Sequence, residues 1–175
     1  EPFTKVEKNA YLFRLSANDT LFQIDGNKFK KSKVMDFGSY SLNDDYISNL
    51  PRVQKQNIYN LLEDKITRLH TYCENKNLIY LSYPLNGILY HAIYSKNSGN
   101  YLIFDRDDLI NDITCSFNFP FIFSSQGFSS DYFYGYISPQ NSNLEELKQM
   151  YPQLKNHDLN EESNPLLVQI KFRDF

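Results

Sequence analysis

The sequence predicts an all-β protein with short helical inserts, built as part of a β-propeller of about three four-stranded blades. Three observations carry this reading. A strand pair recurs at Tyr11, Leu78 and Phe121, each time closed by a polar turn and answered by a second aromatic run. The starts lie 67 and 43 residues apart, and removing the polar, helix-prone stretch 42–65, which is 24 residues long, makes both spacings 43. A period of ~40–45 residues holding four short strands is that of a propeller blade. Finally, 16% of the chain is aromatic, with 14 Tyr, 14 Phe and no Trp, and such residues favour half-buried pleated surfaces.

In the first unit (about 1–41) residues 2–7 read as a strand end, 10–16 and 20–25 as a hairpin around Ala17-Asn18-Asp19, and 32–37 as the next strand, closed by Gly38. The opening Glu1-Pro2-Phe3 lies almost inside a strand and reads as an excised N terminus. The insert 42–65 begins as a helix capped by Asn43, with Asp44 and Asp45 in the first turn, where the helix dipole favours them. Pro51 breaks it, and Ile58, Leu61 and Leu62 form the apolar stripe of a second short helix, a lid over the sheets.

The second unit (66–108) places strands at 66–73, 78–83, 88–95 and 101–105. Glu74-Asn75-Lys76-Asn77 makes the first turn. Asn86-Gly87 supplies the positive φ angles of a tight hairpin, and Ser98-Gly99-Asn100 turns into the last strand. The third unit (109–175) runs through strands 113–119, 120–125 and 131–138. A second insert at 141–162 holds a helix capped by Asn143, with Leu144, Leu147, Met150 and Tyr151 at helical spacing and a stop at Pro152. Ser163-Asn164-Pro165 opens a final strand ending at Lys171-Phe172.

A net charge of −3 argues against a nucleic-acid surface. Lys28, Lys30, Lys31 and Lys33 form the densest basic cluster, read as a solvated hairpin edge that discourages strand addition, with a phosphate site as the alternative. No apolar run approaches the ~20 residues that cross a bilayer. Cys73 and Cys115 sit in apolar, strand-like contexts without ligand spacing and read as buried thiols; a Cys73–Cys115 disulfide is the alternative.

The chain has no Gly-x-Ser-x-Gly, His-Glu-x-x-His, Walker-type loop or Cys-x-x-Cys, and no cofactor is expected. The best polar constellation is Asp105-Arg106-Asp107-Asp108 with Asp112 nearby. It lacks the glycine and later glutamate of a calcium loop, so it reads as a strand-end turn with an Arg–carboxylate pair. His70, His91 and His157 are scattered: two fall in predicted strands, one in a polar insert. Aromatics near strand ends and turns, Tyr83, Phe128 and Tyr132, are candidate ligand contacts, because sugar faces stack on such rings. Together with Arg106, Asp108 and Asp112 they make the candidate binding set.

Several stretches resemble the six-bladed β-propeller lipoproteins of gut Bacteroidetes. They are Asn18-Asp19-Thr20-Leu21-Phe22-Gln23-Ile24, Val34-Met35-Asp36-Phe37-Gly38, the helix start from Tyr40 to Tyr46, Leu109-Ile110-Asn111-Asp112-Ile113, and Glu162 through Phe172. The likeness spans nearly the whole chain but only the C-terminal half of such a protein. It implies a secreted, lipid-anchored, extracytoplasmic protein. Where that family continues Asn-Asp-Ile-Asp-Gly-Gly, this chain has Asn111-Asp112-Ile113-Thr114-Cys115-Ser116, losing an acid and two glycines.

Three blades form an open arc with two apolar faces. Its expected partner is an N-terminal propeller half or a second copy of the chain, the latter pairing isologously. The leading function is a binding module for a glycan or a protein. The alternatives are a carbohydrate hydrolase or lyase using Asp108 and Asp112 near the ring axis, and a purely structural assembly module.

Overall fold

A computed structural model describes residues 3–7, 10–14, 20–42, 44–52, 62–105, 108, 131–141, 143–172 and 175. Among these the protein is mostly antiparallel β-sheet with few helices. The first sheet is a four-stranded meander of β1 (Phe3–Glu7), β2 (Ala10–Arg14), β3 (Thr20–Asp25) and β4 (Lys28–Val34), in that spatial order. The second repeats the pattern with β5 (Thr71–Glu74), β6 (Leu78–Leu85), β7 (Ile88–Ser95) and β8 (Tyr101–Phe104). A third pairs β9 (Phe133–Ile137) with β10 (Leu166–Ile170) from Leu166↔Ile137 to Ile170↔Phe133.

Turn chemistry explains the registers. Asn86 and Gly87 both hold positive φ, 52° and 76°, so the β6–β7 hairpin closes in two residues and pairs Leu85 with Ile88 through Leu78 with Ser95. Gly26, at φ 57°, does the same after β3. That turn corrects the strand expected at 32–37: the chain reverses at Gly26-Asn27, so β4 starts at Lys28 and has ended by Met35. The strand expected at 66–73 likewise begins only at Thr71. Its first half is a docked segment, with Ile66 N–H donating to the Tyr40 carbonyl at 2.9 Å and His70 N–H to that of Ser82 at 2.8 Å.

Helix α1 (Asp44–Asn49) follows a 3-10 turn at Gly38–Tyr40, and α2 (Leu144–Met150) follows one at Pro139–Asn141. Asn143 caps α2, its side chain accepting from Glu146 N–H at 3.3 Å, and Leu147 anchors the helix with no exposed surface. Of the second helix expected through Ile58, Leu61 and Leu62, only Leu62 is described; it is not helical and is buried against Leu42. The strands expected at 113–119 and 120–125 and the cap at Asn43 lie outside the described residues.

The second sheet is covered on both faces along β5 and β6, whereas Tyr101, Leu102 and Ile103 of β8 are exposed. Leu78, Tyr80, Cys73 and Ile93 pack on one face against Phe133 of β9 and Ile170 of β10. Ile79, Leu81, Tyr83 and Tyr72 project from the other face and meet Met35, Phe37 and Ile66, from the chain that leaves the first sheet. Period-two alternation is therefore apolar on both phases through β6, as burial on two faces requires.

Candidate functional site

The densest polar chemistry is built on Glu74, the last residue of β5. Its carboxylate is buried, at 2% exposure, and lies on the face of the second sheet that meets the first. Lys33 reaches Oε1 from β4. Lys96, in the turn after β7, reaches the same oxygen at 2.5 Å. The Tyr72 hydroxyl donates to Oε2 at 2.6 Å. A buried carboxylate is tolerated only with such partners. Burial pushes the Tyr72 hydroxyl well above the ordinary tyrosine range, and the Glu74 charge pushes it further. Tyr72 therefore stays protonated and donates. The Lys96 ammonium is pulled below its usual range by burial first; Glu74 opposes this shift and the Lys33 charge adds to it.

The following turn braces this node. Asn75, fully buried, accepts at Oδ1 from Asn77 N–H at 2.9 Å and Leu78 N–H at 2.8 Å. Its carbonyl accepts from Lys96 Nζ at 2.5 Å. Asn77 Nδ2 in turn donates to Asp131 Oδ1 at 3.3 Å, tying the turn to the start of β9. Chemically, the Glu74 carboxylate already serves two ammonium groups and a hydroxyl. It acts as a clamp between two sheets.

A second buried pair sits on the opposite face. Tyr80 and His91 share a 2.7 Å hydrogen bond through His91 Nδ1, and the imidazole stacks on Phe104 with centroids 5.5 Å apart. Burial lowers the His91 pKa and raises that of Tyr80, so both are held neutral.

The residues singled out from sequence are dispersed. Tyr83 is 5% exposed, its ring against Phe37 at 5.3 Å and Tyr90 at 6.0 Å; it is presented to the core. Asp108 is exposed and closes a reciprocal turn with Asp105: Asp105 N–H donates to Asp108 Oδ2 at 3.3 Å and Asp108 N–H to Asp105 Oδ1 at 3.1 Å. Tyr132 is 37% exposed, with Lys171 Nζ 5.8 Å from its ring centroid. It adjoins β9, on the other side of the second sheet from Tyr83. Arg106, Asp112, Phe128 and Cys115 lie outside the described residues; Cys73 is buried. His91 lies in β7 as expected, whereas His70 is exposed ahead of β5. Among the described residues no group of three or more His, Cys, Asp and Glu is placed to hold a metal ion, and no helix is long and apolar enough to cross a membrane.

Sequence reasoning missed the clamp. The sequence groups Lys33 with Lys28, Lys30 and Lys31 as a solvated edge and places Glu74 in a turn. The available signal is positional: Glu74 follows Cys73 at the end of β5, and Lys33 precedes Val34, the last residue of β4.

No protein-family model and no curated protein matches this chain. Among solved structures it is similar to that of a "putative exported protein" from Bacteroides fragilis NCTC 9343, with a TM-score of 0.63 and 17% identity. The likeness covers 98% of this chain and 49% of that one, so the chain spans about half the neighbour's length and shares its fold over that half.

Proposed function

We propose that this chain is an arc of a six-bladed β-propeller serving as a non-catalytic binding module outside the cytoplasm, with a glycan or a protein as its ligand. The observation that carries the reading is the second sheet. It is a four-stranded meander repeating the first, and it is apolar on both faces, as a blade between two blades must be. Likeness to half of a protein described as exported supports a location beyond the membrane and a fold that is one portion of a longer one. Either further chain or a second copy completes the propeller ring, and lipid anchoring follows only from the sequence resemblance. The pairing of Asp108 with the Asp105 turn favours binding over carboxylate catalysis.

The test is a glycan array followed by calorimetry, run beside hydrolase and lyase assays on the same glycans. Binding without turnover, weakened by Tyr132→Ala at unchanged Tm, supports the module. Turnover that Asp108→Asn abolishes overturns it.

A further inference from the structure

The two complete meanders end on outer strands of opposite character. The outer strand β8, Tyr-Leu-Ile-Phe, carries no charge. β4, Lys-Phe-Lys-Lys-Ser-Lys-Val, carries four lysines and no acid. Lys33 is turned into the clamp with Glu74. Lys28, Lys30 and Lys31 are exposed, and no ion pair reaches them among the described residues. On the β3 side, Asp25 lies opposite Lys28, but Lys30 faces Gln23 and Lys31 faces Phe22. Two adjacent positive charges therefore have no acid opposite them.

The same strand exposes large apolar side chains, Phe29 at 59% and Val34 at 66%, which solubility alone does not call for. Phe29 stacks on Phe22 at 5.0 Å with the rings 13° from parallel, so its ring is held in place. The sheet order ends at β4, leaving the outer row of its backbone N–H and C=O groups without a strand beside it among the described residues. Lysines on such an edge repel a second copy of themselves, because pairing β4 with β4 sets lysine against lysine. They do not repel an acidic strand. A carboxylate opposite Lys30 or Lys31 stands ~5 Å away between Cβ atoms, within pairing distance.

We propose that the β4 edge accepts an extended acidic peptide segment of a partner protein as a fifth strand, with acids opposite Lys30 and Lys31 and an apolar residue opposite Phe29. Main-chain hydrogen bonds supply the docking and the lysines supply the selectivity. The register shift between the Lys31 and Lys33 pairings limits the regular edge to Lys28–Lys31, so the segment is short. The interaction stands apart from ring closure, since β4 is an outer strand whether or not the sheets complete a circle.

The test is calorimetry on the whole chain with a capped peptide, acetyl-Thr-Val-Glu-Glu-Val-Thr-amide. Three controls accompany it: the same peptide with lysine for glutamate, a version N-methylated at alternate residues, and a heparin fragment. The expected result is binding of the acidic peptide at low salt that weakens about tenfold or more near 1 M salt, where screening acts within ~3 Å. The N-methylated peptide should not bind. The double variant Lys30→Glu with Lys31→Glu should lose the acidic peptide and gain the basic one, an exchange that misfolding cannot produce. Equal binding of the N-methylated peptide overturns strand addition. Binding of heparin with no binding of the peptide overturns the protein partner in favour of a polyanionic sugar. No binding by any probe overturns the proposal outright.

Discussion

Lys33 on β4 and Glu74 on β5, 41 residues apart in the chain, meet as an ion pair that joins the first sheet to the second. Lys96 and Tyr72 complete the shell around the same carboxylate, so an inter-sheet contact depends on a single buried acid.

Glu74→Ala should therefore destabilise the fold by about 3 kcal/mol, the scale for removing one member of a buried ion pair. Lys33→Ala should cost less, roughly 1.5 kcal/mol, because Lys33 is partly exposed and Lys96 and Tyr72 still serve the carboxylate. Urea melts of the two single variants check the order. A Lys33 effect as large as that of Glu74 contradicts the shared shell.

The buried His91 gives a pH signature. Its folded pKa is lowered by burial from the ordinary 6.5, so the unfolded chain takes up a proton first as pH falls. Stability should be fully present above 6.5 and decline as pH drops below it, levelling off beneath the lowered folded value. Tm measured across this range should fall on acidification, and His91→Gln should flatten the slope. The residual slope belongs to His70, also lowered, by partial burial of its ring first and the Arg68 charge second.

Tyr83→Ala should behave as a core deletion and cost about 3 kcal/mol or more, as should Phe133→Ala, which has no exposed surface and joins the third sheet to the second. Denaturation of both variants beside a ligand screen separates packing from recognition. A Tyr83→Ala protein of unchanged stability that has lost ligand binding would restore the ring as a contact residue.

Gly87→Ala should cost on the order of 1 kcal/mol. The added methyl meets nothing within 4 Å, so the cost is backbone strain at φ +76° alone. Asn86→Gly, at φ 52°, removes a strained side chain and should be close to neutral. Thermal melts of the pair test whether the β6–β7 turn is set by φ or by side-chain contacts.

Local rules made several elements readable in advance. Asn86-Gly87 announced its hairpin because few residues hold positive φ cheaply. Asn143 announced α2 because a helix start needs an acceptor for its unpaired N–H groups. β4 begins four residues before the expected strand at 32–37, because the Gly26-Asn27 turn is equally local but is followed by charged residues rather than by an apolar run. Tyr83 stands near a turn in sequence yet enters the core, since sequence distance from Asn86 does not reveal which side of a sheet the ring enters.

What the amino-acid order determined by itself is the alternation, the turns and the recurring four-strand unit, because these depend on φ, side-chain period and neighbours within a few residues. Only the tertiary structure decided that Glu74 would be buried, that Lys33 alone of its cluster would turn inward, and that both phases of β6 would be covered. The physical reason is that burial of a charge is fixed by its partners, and here the decisive partner arrives from another sheet.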